Sequence, residues 1–74
     1  MAVEIELFGQ LLPGKPRRQL LALESPLSVR EVARLLGLLP EEVGLITING
    51  VQSELDELVP ADCRLCFFAP MSGG

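Results

Sequence analysis

The chain begins with a strict alternation of apolar and acidic residues, Val3-Glu4-Ile5-Glu6-Leu7. An alternation with a period of two puts the apolar side chains on one face of an extended segment, which is typical of a half-buried strand. Gly9, Pro13-Gly14 and Pro16 then mark a turn region. Residues 18–24 follow as a second β-prone segment, so this part of the chain predicts a β-hairpin.

A helix with well-specified ends follows the predicted hairpin. Ser28 is a typical N-cap, and Glu31, three residues later, completes a capping box that satisfies two backbone N–H groups. Gly37 provides the left-handed residue that ends the helix. Between these ends, apolar residues recur at i, i+3, i+4 and i+7 and form one stripe that faces a core: Val29, Val32, Ala33 and Leu36.

The second half of the chain is rich in β-strand signals. Residues 39–42 predict a short helical turn with Pro at its first position. Residues 43–48 are strongly β-prone, and Asn49-Gly50 behind them is a strong hairpin signal that leads into a brief strand at 51–53. Residues 63–69 predict the last strand.

The element order is therefore two strands, one helix, and two or three further strands. One helix lying across a mixed sheet of four or five strands satisfies this order, with the first and last strands parallel at the centre. This is an α+β layer architecture of the β-grasp type. We predict a β-grasp domain at residues 1–69 and a flexible C-terminal tail at residues 70–74.

Composition narrows the class of protein. A chain of 74 residues that is 49% hydrophobic can form one domain with a small core. Its 10 acidic and 6 basic residues give a net charge of −4, which argues against nucleic-acid binding. The sequence contains no apolar run of the ~20 residues that a membrane span needs, and no basic region typical of a signal peptide. We therefore expect a cytoplasmic protein.

Few residues could carry catalysis. The sequence has no His, Trp or Tyr and no glycine-rich phosphate loop. Cys63 and Cys66 form a C-x-x-C pair, but residues three apart on a strand point to opposite faces. No histidine or third cysteine completes a zinc site, so we predict no metal and two ordinary apolar cysteines. A carrier or binding module is favoured over an enzyme that acts alone.

The end of the chain, Phe67-Phe68-Ala69-Pro70-Met71-Ser72-Gly73-Gly74, resembles the MoaD/ThiS family of ubiquitin-like sulfur carriers. The resemblance includes the hairpin, the capped helix and the Ile48-Asn49-Gly50 turn, and so covers essentially the whole chain. The Phe-x-Pro-x-x-Gly-Gly terminus is most similar to the small subunit of molybdopterin synthase (MoaD).

The resemblance implies a chemistry at the terminus. An E1-like adenylyltransferase of the MoeB/ThiF type uses ATP to adenylate the Gly74 carboxylate, and a sulfur donor then displaces AMP to leave a thiocarboxylate. The thiocarboxylate donates sulfur in the large molybdopterin synthase subunit (MoaE type) or in another acceptor. No cofactor is bound by the carrier itself. Gly73 and Gly74 lack a Cβ and so fit a narrow channel, while Pro70 stiffens the start of the tail.

The carrier must also dock on its partners. If Leu65 and Phe67 face the helix, Cys66 and Phe68 face outward on the same strand. The same parity turns four residues on other strands outward: Phe8, Leu20, Ala22 and Leu45. An outer face with this much apolar area predicts a partner-binding surface, with Phe68 as its main anchor. A slip of one residue in register would instead bury these side chains. The predicted partner-binding residues are Phe8, Leu45, Cys66, Phe68, Pro70, Met71 and Ser72.

Several functions remain open at this point. The same terminus would serve a carrier for thiamine, cysteine, tRNA thiolation or a tungsten cofactor. A protein modifier would instead form isopeptide bonds between Gly74 and lysines. A β-grasp interaction module would have an inert terminus.

Overall fold

A computed structural model describes residues 1–70 of the chain. The sites predicted at Met71, Ser72, Gly73 and Gly74, and most of the predicted tail, lie outside the described residues. The elements follow the predicted order, and their bounds differ from the prediction only at the ends of some segments. They are β1 (Ala2–Phe8), β2 (Arg18–Ala22), α1 (Val29–Leu36), a short 3-10 helix (Pro40–Glu42), β3 (Leu45–Ile48), β4 (Val51–Gln52) and β5 (Arg64–Phe68).

The five strands form one mixed sheet in the order β2-β1-β5-β3-β4. Strands β1 and β5 are parallel, whereas the pairs β1–β2, β3–β5 and β3–β4 are antiparallel. This confirms the predicted parallel pairing of the first and last strands. Helix α1 covers one face of the sheet, so the opposite face is left without a helix among residues 1–70, and we call it the outer face.

The core lies between α1 and the sheet. Every second side chain of the two central strands points into it, because successive side chains of a strand alternate between faces. Leu36, at the end of the predicted helical stripe, is only partly buried. The main contributors are Val3, Ile5 and Leu7 of β1, Leu65 and Phe67 of β5, and Val29, Val32 and Ala33 of α1.

The turn between β3 and β4 has the geometry that its sequence predicts. Asn49 has φ 52° and Gly50 has φ 84°, so both central residues are left-handed. A two-residue turn of this kind matches the twist of antiparallel strands. Within residues 1–70, no helix is long and apolar enough to cross a membrane.

The capping box predicted at the start of α1 is present. The backbone N–H of Glu31 donates to Ser28 Oγ at 3.2 Å, and the backbone N–H of Ser28 donates to Glu31 Oε1 at 3.0 Å. Gly37 ends the helix with φ 91°. The hydrogen bond from the Ser28 backbone, followed by that from its hydroxyl, lowers the pKa of Glu31 from its ordinary value of 4.5.

This lowered pKa predicts a contribution to acid sensitivity. The folded chain binds a proton at Glu31 more weakly than the unfolded chain, so the stabilisation is complete above about pH 4.5 and is lost as the pH falls through the folded pKa. We expect Glu31→Gln, which keeps an acceptor oxygen but cannot titrate, to lose less thermal stability than wild type between about pH 6 and pH 3.

Thermal unfolding at a series of pH values measures the effect. Glu24→Gln is the control, because it removes an exposed carboxylate outside the helix cap. Equal acid sensitivity of wild type and Glu31→Gln would contradict the assignment.

Candidate functional site

Three apolar side chains form a row across the outer face at the end of β5. Phe68 pairs in register with Phe8 of β1 on one side and with Leu45 of β3 on the other. The rings of Phe8 and Phe68 are stacked, with centroids 4.6 Å apart and planes 8° from parallel. Leu45 is 39% exposed, and both phenylalanines are half-buried. We call Phe8, Leu45 and Phe68 the apolar row; their outward orientation confirms the predicted register.

The chain leaves the sheet beside the apolar row. The backbone N–H of Ala69 donates to Phe8 O at 3.1 Å, and that of Gly44 donates to Phe68 O at 2.8 Å. These bonds hold β5 on both sides up to its last residue. A cleft of about 380 Å³ is lined here by Gly44, Leu45, Phe68, Ala69 and Pro70. Pro70, which was predicted to bind partners, is exposed and lines this apolar cleft.

A band of ion pairs adjoins the apolar row on the outer face. The Glu6 carboxylate accepts hydrogen bonds from Nε and Nη2 of Arg64, with Nε at 3.0 Å, and its second oxygen lies 3.4 Å from Arg18 Nε. The side chain of Glu6 is only 13% exposed, because both arginines lie over it. We call Glu6, Arg18 and Arg64 the ionic stripe.

The Glu6–Arg64 pair remains charged at neutral pH. The hydrogen bond from Arg64 lowers the pKa of Glu6, and the same bond raises the pKa of Arg64. Glu4 pairs in register with Arg64 on the same face, so the two arginines are matched by two carboxylates. A partner can therefore meet an apolar surface and a charged surface side by side.

The ionic stripe divides the apolar area that was predicted for the outer face. Leu20 is 75% exposed on this face, as its parity predicted, but it pairs with Glu4 in the same row as Arg64, and the Glu6–Arg18 pair separates it from the apolar row. Ala22 lies one further row away, opposite Ala2. The alternation that buries one side of β1 necessarily turns its acids outward, and these acids attract arginines from the neighbouring strands. The apolar surface is confined to the row beside the chain exit.

The two cysteines lie on opposite faces, as predicted. Cys63 belongs to the core, and burial raises the pKa of its thiol. Cys66 faces the outer side between Thr47 and Glu6, but it is only 6% exposed because its neighbours cover it. Cys66 therefore has little exposed surface for the partner contact predicted at this position. Among residues 1–70, no cluster of His, Cys, Asp and Glu could hold a metal ion.

Comparison with known proteins identifies the fold. No protein-family model and no curated protein matches the sequence. Among solved structures, SAMP1 from Haloferax volcanii matches with a TM-score of 0.75 at 24% identity, over 100% of both chains. The chain has the ubiquitin-like β-grasp fold. A chain in the complex of subunits 1 and 2 of the molybdopterin-converting factor from Helicobacter pylori 26695 matches with a TM-score of 0.64 at 20% identity, again over 100% of both.

In this β-grasp fold, the described residues of the site form an apolar surface beside a band of charged side chains. The apolar row can bury partner side chains, and the ionic stripe can pair with partner charges. The reactive group predicted from the sequence, the Gly74 carboxylate, lies outside the described residues. Pro70 is the last described residue before it and leaves the domain directly beside the apolar row.

Sequence reasoning did not identify two parts of this site. The first part is the ionic stripe, which joins Glu6 and Arg64, two residues 58 positions apart. The sequence did contain a signal for it, because Glu6 and Arg64 carry opposite charges and both were predicted to face outward on two parallel strands. The second part is Gly44, which closely approaches the backbone of Ala69 and Pro70. A single glycine before a strand gives no sequence signal for such an approach.

Proposed function

We propose that this β-grasp protein is a sulfur carrier whose Gly74 carboxylate is adenylated by an E1-like enzyme and then converted to a thiocarboxylate. Sulfur transfer to molybdopterin, with the chain acting as the small synthase subunit, is the destination that we favour. The carrier contributes the reactive terminus, while the partners contribute the nucleotide chemistry and the acceptor. It is not a catalyst by itself, and it acts where ATP is available, in the cytoplasm.

The observation that carries this proposal is the position of Pro70. Pro70, the last described residue, lies beside the exposed apolar row, and Gly73 follows the last strand residue, Phe68, by five positions in the sequence. A partner that docks on this row therefore has the start of the C-terminal segment at the edge of its footprint. Five residues from Pro70 to Gly74 span about 16–17 Å when extended, which is enough to reach into an enclosed active site.

The structural neighbours support the fold on which this chemistry would take place. The Helicobacter pylori structure contains two subunits of the molybdopterin-converting factor in one complex. That arrangement supports a second, large subunit as the partner of this chain. The ionic stripe, which presents charges of both signs, would favour complementary charges at the rim of such a partner.

The proposed reaction has two steps. A Gly74 carboxylate oxygen attacks the α-phosphorus of ATP and displaces pyrophosphate, which gives an acyl-adenylate. Hydrosulfide or an equivalent sulfur nucleophile then attacks the acyl carbon, and the bond to AMP breaks with its electron pair on the phosphate oxygen. The product carries one sulfur in place of one carboxylate oxygen. No residue of the chain other than the terminus changes its covalent structure.

We expect the intact protein to gain the mass difference between one sulfur and one oxygen atom when it is incubated with the E1-like adenylyltransferase of the same organism, ATP and sulfide. Fragmentation by mass spectrometry should locate the gain on Gly74. The mass of the untreated protein first establishes that Gly74 carries a free carboxylate. Omission of ATP is the control, and an unchanged mass in the complete mixture would contradict the proposal.

Other outcomes of this experiment identify the alternative functions. Conjugates of high mass joined to lysines would indicate a protein modifier. A chain that never reacts with ATP would indicate an interaction module. If the thiocarboxylate forms, incubation with the large molybdopterin synthase subunit and its precursor tests the favoured pathway. Sulfur transfer to an acceptor of the thiamine, cysteine, tRNA or tungsten-cofactor pathway would instead assign the carrier to that pathway.

A further inference from the structure

Gly44 lies against the backbone at the point where the chain leaves β5. A Cβ at position 44 would be 2.6 Å from Pro70 Cα, 2.9 Å from Pro70 N and 3.0 Å from Ala69 O. All three are main-chain atoms, so no side-chain rotation can relieve the overlap. A residue with a side chain at position 44 must displace the chain at Ala69 and Pro70.

Backbone conformation does not explain the glycine at this position. The glycines with positive φ among residues 1–70 are Gly9, Gly14, Gly37 and Gly50, and Gly44 does not belong to this group. The φ of Gly44 therefore does not require a glycine, and the obstacle to an alanine at this position is the approach of residues 69–70. The glycine is required by the path of the chain exit.

The surroundings decide which side must move. The Gly44 N–H is bound to Phe68 O at 2.8 Å, and β3 begins at the next residue, so Gly44 is fixed to the sheet. On the other side, a Cβ at Gly9 would lie 2.8 Å from Ala69 Cβ. Ala69 is thus enclosed between two glycines, while Pro70 is exposed and follows the last strand residue by two positions. Pro70 is the part that can give way.

We propose that Gly44 is a positioning residue that sets the direction in which the chain leaves the domain at Pro70. This inference rests on the proposed function, because the direction matters for activity only if Gly74 must enter a partner's active site. The residue would act through residues 69–70 and would not touch the reacting atoms. The proposed activity would then have two requirements: a docking surface, and the correct direction of the chain exit relative to the apolar row.

The expected consequence is a loss of turnover with little loss of docking. A displacement at Pro70 is carried to a terminus four residues away, and misplacing a reacting group by about 1 Å can lower a rate about 100-fold. Gly44→Ala leaves Phe8, Leu45 and Phe68 unchanged. We expect the kcat of adenylation to fall by about 10- to 100-fold, with the dissociation constant for the E1-like enzyme changed by less than about 3-fold.

The experiment compares Gly44→Ala with Gly50→Ala. Gly50 has φ 84° and no heavy atom within 4 Å of an added Cβ, so its alanine variant strains a turn without approaching the exit. ATP–pyrophosphate exchange with the E1-like enzyme gives kcat and KM, and calorimetry gives the dissociation constant. The carbon NMR shift of Pro70 Cα reports displacement of the exit without any partner. Gly44→Ala/Pro70→Gly, which frees φ at position 70, should recover part of the lost kcat.

The outcomes separate this inference from the proposed function. A changed Pro70 Cα shift in Gly44→Ala, a reduced kcat and partial rescue by Pro70→Gly support the role of Gly44. Wild-type kcat in Gly44→Ala, or a loss no larger than that of Gly50→Ala, would overturn that role and leave the proposed function intact. Absence of exchange with the wild-type protein would instead contradict the proposed function, and the inference would fall with it.

Discussion

Phe67→Asp should unfold the domain, whereas Phe68→Asp should leave it folded and remove partner binding. The two residues are neighbours on β5 and differ in the face they occupy. Phe67 is 0% exposed in the core. Truncating a buried phenylalanine to alanine already costs about 3–5 kcal/mol, and an unpaired buried carboxylate adds to this. Small domains have only about 5–15 kcal/mol of stability in total, so Phe67→Asp should not remain folded.

Phe68 has a different environment. It is half-buried in the apolar row, where its ring stacks on Phe8. Such a stack contributes about 0.5–1.5 kcal/mol, which a folded domain can lose. An aspartate at this position would reach water on the outer face and so would not be trapped in the core. If Phe68 anchors a partner, its loss should weaken binding by at least about 2 kcal/mol, or roughly 30-fold.

Circular dichroism and thermal unfolding measure the first effect, and calorimetry with the E1-like enzyme and the large synthase subunit measures the second. Leu20→Asp is a matched control, because Leu20 is exposed on the same face and the Glu6–Arg18 pair separates it from the apolar row. Its binding should equal that of wild type if the apolar row is the interface. If Phe68→Asp unfolds, Phe68 contributes to the core. If the variant folds and its partner binding is unchanged, Phe68 does not belong to the interface.

The elements and the faces of the central strands could be predicted because their signals are local. The alternation in Val3-Glu4-Ile5-Glu6-Leu7 assigns every residue of β1 to a face. The capping box at Ser28 and the turn at Asn49-Gly50 depend on residues within three positions of each other. Once β1 and β5 are paired in parallel, the outward orientation of Phe8 and Phe68 follows from parity alone.

The parts that could not be predicted depend on contacts between distant segments. Parity places Cys66 on the outer face, but whether it is covered depends on the side chains of β1 and β3 beside it. The contact of Gly44 with Pro70 depends on a main-chain separation, which no composition or periodicity encodes. The charges of the ionic stripe were visible in the sequence, whereas their geometry around Glu6 required the register of three strands.

The proposed site has two parts: a surface proposed to dock on partners and a C-terminal segment proposed to react. The apolar row and the ionic stripe are fixed by strand pairing, so they are rigid elements on which a partner can be oriented. Gly44 and Pro70 connect this surface to the terminus. Binding and reaction should therefore be separable by mutation, with Phe68 affecting mainly affinity and changes at the terminus affecting mainly turnover.

The terminus should tolerate no extension. Appending one alanine after Gly74 moves the carboxylate by about 3.3–3.6 Å along an extended chain. Reacting groups must be held within about 0.5 Å of the productive geometry, and about 1 Å of misplacement can lower a rate about 100-fold. The added Cβ would also widen the end of a chain that has none at Gly73 or Gly74. We expect adenylation of the extended protein to fall by more than about 100-fold.

Docking should survive this extension, because the apolar row is unchanged. Calorimetry should give a dissociation constant within about 3-fold of wild type, so that the extended protein competes with the wild-type carrier for the E1-like enzyme. Removal of the added alanine by carboxypeptidase should restore ATP–pyrophosphate exchange, which distinguishes a displaced carboxylate from a damaged fold. Normal adenylation of the extended protein would show that the position of the carboxylate is not the requirement, and a reactive group other than the Gly74 carboxylate would then have to be sought.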